Sequence, residues 1–382
     1  MQAKKTWSME LEGLRGLASL WVVLGHICIL VNFHFPILSD PAIGVDLFIL
    51  LSGFLMAKNY IERQNKEPWT AVNTFRKFWL RRFFRIAPLY YFLLIVAIIF
   101  GGYYGEYRDV ISDFYPATQT NSSRYSDGSF ANIFTHVTFL FGFLPGYSFN
   151  TVLPDWSIGL EMQFYFIFPF LMLGVMKFGF TKVCYIAIFI CIVAKFIFPD
   201  YFHAFPMPSL ILIKLNLFIA GMFVAKSILD KRFLYTILGV VSAIASFYLQ
   251  GNINKVRLLA EIGMIIMLAA VLWPVGNDGF WSKISQAPRY VLKNKVSVFM
   301  GDVSYSVYLL HLLIVLPTVS FLLSNSGFAT LPSIMRFLVV AIITLPITYS
   351  ISFFLYRFIE KPGIKLGKFV AGYHSKESVK IS

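Results

Sequence analysis

Eleven positions separate Arg15 from His26 in the first apolar stretch of the chain, and at ~100° per residue the two fall on nearly the same helix face. At ~1.5 Å of rise per residue they stand ~16 Å apart along the axis, about half the thickness of a bilayer's hydrocarbon core. A cation and an imidazole on one buried stripe suit a long anionic substrate. Its charged head would stay near one surface while its reactive end reaches the interior. An ionisable residue inside a membrane is a functional candidate by default. Each also has a plainer use: Arg15 as an interfacial anchor paired with Glu12, and His26 as a neutral histidine hydrogen-bonded to a neighbouring helix.

Other candidates converge on the depth of His26. Asp46 lies early in the run GVDLFILLSGFL that starts at Gly44. There it is expected to hold the His26 tautomer and raise its basicity, the alternative being a helix cap. Glu161, in WSIGLEMQFY from Trp156, sits about a turn and a half inside its own helix and needs a partner or a watery cavity. It reads either as a general acid or acceptor ligand, or as half of a structural ion pair. Trp156, Tyr305 and His311 are the candidate acceptor contacts, the last two in SYSVYLLH from Ser304. Arg82 and Arg85, three apart on one face, form a site for paired phosphates or simply set topology. Ser52, Gly53 and Gly44 read as small residues that let helices approach. Lys195, Lys214 and Arg336 read as helix-end or lipid-headgroup residues.

The elements that carry these residues are membrane helices. The chain of 382 residues is 58% hydrophobic and 14% charged, with a mean hydropathy of +0.70 and 41 Phe, which excludes a large soluble domain. The expected fold is all-α, a polytopic transmembrane helix bundle of about ten spans with both termini cytoplasmic. The spans fall near 13–33, 42–60, 86–103, 156–177, 183–199, 207–228, 233–250, 256–274, 301–323 and 334–357. This orientation puts most of the 33 Lys and Arg on the cytoplasmic side. It also accounts for the net charge of +14 without a nucleic-acid partner. The first span reads as a retained anchor rather than a cleaved signal. Cys28, Cys184 and Cys191 all lie in apolar runs, against a disulfide framework and against a metal cluster.

Residues 1–368 read as one membrane domain, followed by a short basic cytoplasmic tail over 369–382. Two connections stand out. The cytoplasmic segment 62–85 interleaves Arg and Lys with Phe and Trp and reads as an amphipathic interfacial helix. The outer segment 104–155 is polar at first. It then becomes apolar from Phe130 to Gly146, too short to span, and reads as a re-entrant or interfacial piece.

Arg15 with ten residues before His26, the segment from Gly44, the RFFR at Arg82, the WSIGLEMQFY at Trp156 and the SYSVYLLH at Ser304 occur in order. Together they resemble the acyltransferase type 3 family of multi-pass membrane enzymes, over nearly the whole chain. The resemblance implies transfer of an acyl group, commonly acetyl from acetyl-coenzyme A, to a hydroxyl of an extracytoplasmic carbohydrate such as O-antigen or peptidoglycan. It implies importance for Arg15, His26, Arg82 and Arg85, no metal, and a bacterial inner membrane. Some members add an extracytoplasmic esterase-like domain, so transfer here is expected to finish within the membrane domain.

The expected mechanism docks the coenzyme A phosphates on Arg82 and Arg85 near Arg15, with the thioester arriving at His26. His26, oriented by Asp46, deprotonates the acceptor hydroxyl. Direct attack and a two-step route through acyl-histidine both fit. The competing class is a transporter or flippase for a lipid-linked sugar, with His26, Asp46 and Glu161 as a proton relay. The chain shows no pseudo-repeat that would favour it.

Overall fold

The computed structural model describes residues 3–251, 255–273, 280–325 and 327–372; the expected basic tail lies outside the described residues from 373 onward. All regular structure among them is helical. The bundle is built from α1 (Ala3–Leu30), α2 (Pro41–Arg63), α3 (Val72–Ile99), α4 (Gly101–Phe114), α5 (Phe130–Val137), α6 (Trp156–Phe178) and α7 (Phe180–Ile197). It continues with α8 (Ile211–Asp230), α9 (Leu234–Ile244), α10 (Lys255–Leu272), α11 (Phe280–Lys293), α12 (Lys295–Asp302), α13 (Ser304–Ser324), α14 (Ser333–Leu355) and α15 (Lys361–Val370).

Among the described residues eight stretches, rather than about ten, are long and apolar enough to cross a bilayer. The two expected spans that fall short are 233–250 and 256–274. The first is α9 with a short turn after it, and the second is α10, which carries Lys255, Arg257 and Glu261 in 18 residues. The expected interfacial helix is also revised. From Val72 the basic segment runs without a break into the third span as one helix of 28 residues, because nothing in RKFWLRRFFR stops a helix and Pro88 is accommodated within it. In the segment 104–155, expected on the outer side, α4 and α5 are joined by short 3-10 turns.

Lipid tails are as apolar as Leu, so membrane helices associate through close packing and polar contacts. The α2–α8 pair shows this. A Cβ on Gly53 would lie 2.0 Å from the Phe218 carbonyl, and one on Gly221 would lie 2.0 Å from the Leu50 carbonyl. Only glycine lets these backbones meet. The α1 helix sits inside the bundle, packed on α2, α12 and α13, and Gly44 of α2 closes on Ala18 and Val22 of α1.

Candidate active site

His26 meets a second histidine. His311 Nε2 lies 3.1 Å from His26 Nδ1, and the ring centroids are 4.9 Å apart. Backbone carbonyls, which only accept, set the neutral tautomers. His311 Nδ1 lies 2.7 Å from the Tyr308 carbonyl and must carry the proton, which leaves Nε2 as a lone pair. His26 Nδ1 lies 2.9 Å from the Val22 carbonyl, so it too carries the proton, shared between Val22 and His311. His26 Nε2 is then the free lone pair, the group a general base needs.

Asp46 is not the partner of His26. Its Oδ1 lies 2.5 Å from Lys214 Nζ, and its Oδ2 lies 2.8 Å from the Arg257 guanidinium. Helix geometry explains the correction. Gly44 faces α1, and two residues on, ~200° around the helix, Asp46 points the other way, toward α8. Lys214 is correspondingly no headgroup ligand. It is fully buried, with Gln250 Oε1 as its second acceptor at 2.6 Å. Lys195 is likewise buried and donates to the Tyr248 and Leu249 carbonyls, and Arg336 donates to the carbonyls of Val31, Ala329 and Leu331.

Arg15, Arg82, Arg85, Glu161 and Tyr305 line one cavity of about 250 Å³, with Ser52, Ser157, Phe48 and Tyr308 among the other walls. Glu161 accepts from Ser52 Oγ at 3.1 Å and from the Tyr165 hydroxyl. That places it in a hydrogen-bonded cluster rather than an ion pair, and gives Ser52 a polar role beyond close packing. Tyr305 donates to the Ile86 carbonyl at 2.8 Å. Arg15 is paired with Glu12 at 2.9 Å. Arg82 lies over the rings of Tyr165 and Phe78, at 5.3 and 5.7 Å from their centroids, and its buried Nε has no hydrogen-bond partner. Neither Arg82 nor Arg85 forms an ion pair with a carboxylate among the described residues. Both also line a second cavity of about 440 Å³, into which Arg63 and Lys368 project. The two cavities share Met56 and Asn59 as well.

The first cavity ends at Phe48 and Tyr308, whose ring centroids are 5.9 Å apart, one helical turn short of His311. Tyr308 is fixed there: its hydroxyl donates to the Pro154 carbonyl at 2.6 Å and accepts from Ser157 Oγ at 2.7 Å. The loop before α6 is braced in turn by buried Asp155, which accepts from Thr151 at 2.9 Å and Tyr90 at 3.2 Å and lies 3.6 Å from His136 Nε2. Burial pushes the Asp155 carboxyl above the usual carboxylate range, opposed by nearby His136. Trp156, a candidate acceptor contact, is buried at the start of α6 and does not line the cavity.

The bundle and its buried charged groups define a multi-pass membrane protein. The chain belongs to the acyltransferase family Acyl_transf_3, whose model, described as an acyltransferase domain, matches residues 10–353. It is similar to the peptidoglycan O-acetyltransferase OatA of Listeria monocytogenes, 28% identical over 169 residues, covering 44% of this chain and 24% of that protein. It is 30% identical to "Putative membrane-bound transacylase BcsY" of Komagataeibacter xylinus, covering 41% of this chain and 35% of that one. It is 24% identical to "Putative O-acetyltransferase SAS0844" of Staphylococcus aureus, over 95% of this chain and 58% of that one. The chain thus spans less than two thirds of the length of each of these relatives. No solved structure matches.

Proposed function

We propose that the protein is a membrane O-acyltransferase that moves an acyl group, acetyl by preference, from coenzyme A on the cytoplasmic side to a hydroxyl of a carbohydrate on the outer side. The observation that carries this reading is one cavity that holds two arginines without carboxylate ion-pair partners among the described residues at one end and stops one helical turn from the His26–His311 pair at the other. The family match and the named O-acetyltransferase relatives support the class of reaction. Similarity to a peptidoglycan O-acetyltransferase favours a polymeric or lipid-linked glycan as acceptor. O-antigen is another acceptor of the same kind, and a bacterial inner membrane fits both.

Arg82 and Arg85 bind the diphosphate and phosphate of the donor, as guanidinium forks suit phosphate oxygens. The shared walls of the two cavities give the donor a continuous seat, with Arg15 beside it. The acyl end then passes Phe48 and Tyr308 to reach His26. There Nε2 takes the proton of the acceptor hydroxyl, the hydroxyl oxygen bonds to the thioester carbonyl carbon, and the carbon–sulfur bond breaks. Coenzyme A leaves as the thiol, reprotonated by the His26 imidazolium. His311 holds Nδ1–H of His26 and keeps Nε2 free, the orienting role expected of Asp46 from the sequence. Glu161, held by Ser52 and Tyr165, borders the donor's path.

The test is a proteoliposome assay with acetyl-labelled coenzyme A supplied to one face and a panel of lipid-linked and soluble glycans to the other. Alkali-labile label on a glycan supports the reading. Glycan movement across the membrane without label on it would replace the reading with a carrier.

A further inference from the structure

Arg108 is a cation that the proposed chemistry leaves unused. It stands on α4 one turn beyond Tyr104, whose hydroxyl donates to the Leu313 carbonyl of α13 at 3.2 Å. Residues four apart share a helix face, so Arg108 lies on the side of α4 that packs along α13, just past His311. It is within Coulombic reach of the His26 ring. Its Nε is buried with no hydrogen-bond partner, and its guanidinium makes no ion pair with a carboxylate among the described residues.

Two neighbouring arginines spend their terminal nitrogens on the protein itself, although Arg124 Nε, like Arg108 Nε, is buried without a partner. Arg124 donates to the Phe149 carbonyl at 2.5 Å and the Thr151 carbonyl at 3.2 Å, and it lies on the Phe149 ring. Arg336 is committed to three carbonyls. Tyr115 Oη and Thr120 Oγ1, in the chain that follows α4, are also buried without partners. Arg108 is half-buried, and a guanidinium partly withdrawn from water without a counter-charge gains most from an anion that neutralises it. Its planar fork matches a carboxylate or phosphate through paired hydrogen bonds.

We propose that Arg108 binds an anionic group, a carboxylate or a phosphate, carried by the carbohydrate acceptor, and so selects acidic glycans and holds a neighbouring hydroxyl at His26. This rests on the reading of His26 as the base for an acceptor that enters on the Arg108 side.

The test is equilibrium binding to the full-length protein in nanodiscs, using three probes: cellotetraose with one glucuronate in place of a glucose, the same tetrasaccharide after carboxyl reduction, and cellotetraose 1-phosphate. Wild type should prefer at least one charged probe to the neutral one by about tenfold or more, as expected for hydrogen bonds to a charged group. A preference for glucuronate alone assigns a carboxylate, and one for the phosphate alone assigns a phosphate. Arg108→Gln should bring the three affinities together and Arg108→Lys should keep part of the preference, with acetyl-coenzyme A affinity unchanged in both. A wild type with no preference overturns the proposal, as does a preference that survives Arg108→Gln. So does Arg108→Gln weakening all probes and the donor alike, which marks a structural role. Because binding is read without turnover, an intact Arg108-dependent preference with no acetyl transfer to any glycan would remove the acyl-transfer reading and keep the site.

Discussion

His311 Nε2 lies 3.1 Å from His26 Nδ1, the contact through which, in the proposed mechanism, the buried His311 imidazole orients that of His26. If His311 acts in this way, His311→Phe should lower kcat by roughly 10²-fold, within the range for losing the partner of a general base. The KM for acetyl-coenzyme A should stay near wild type. Steady-state kinetics in proteoliposomes checks this, and an unchanged kcat would leave His311 a mere packing residue.

The two cavity arginines make a different prediction. Arg82→Ala and Arg85→Ala should each raise the donor KM by roughly tenfold, the worth of a charge-assisted hydrogen bond, with a smaller effect on kcat. Arg85→Lys should recover part of the loss, since charge returns but the fork does not. Donor titrations at two salt concentrations read both effects.

Asp46 stands between two cations, Lys214 at 2.5 Å and Arg257 at 2.8 Å. Asp46→Asn removes the carboxylate that neutralises both and should cost about 3–5 kcal/mol, as for any buried pair broken from one side. Lys214→Met should cost less, because the carboxylate keeps Arg257. Thermal unfolding in detergent ranks the two. Equal midpoints for wild type and Asp46→Asn would show that the cluster contributes nothing to stability.

Gly53 and Gly221 face opposite carbonyls across α2 and α8. Gly53→Val or Gly221→Val forces these backbones apart and should lower the yield of folded protein and its stability by more than about 1–3 kcal/mol, the usual cost of overpacking a core. Gly102, where an added methyl would meet nothing within 4 Å, is the control, and Gly102→Ala should be neutral.

Much of this was legible in the sequence. The apolar runs mark the helices, and the three-residue spacing of Arg82 and Arg85 puts both on one face, because 3.6-residue periodicity is a local property; both line the same cavities. The partner of His26 was not legible. Depth alone put Asp46, Glu161 and His26 on one level, but rotation about each helix axis decides who meets whom, and rotation is set by contacts such as Gly44 on α1. Asp46 and Lys214 could have been paired from sequence, since opposite charges in two apolar runs both need a partner. The roles of Tyr308 and Ser157 were not legible because a hydroxyl in an apolar helix looks like any other until the Pro154 carbonyl is seen to hold it. Arg108 gave no signal, since an arginine in a polar outer segment is ordinary until its partners prove absent.

The most direct measurement compares wild type with His26→Ala in proteoliposomes supplied with labelled acetyl-coenzyme A and an accepting glycan, with donor affinity measured in parallel. The account predicts alkali-labile acetyl on the glycan for wild type, a loss on the order of 10²–10⁴-fold for His26→Ala, as for removal of a general base, and donor binding retained in both. Equal labelling by His26→Ala would contradict it.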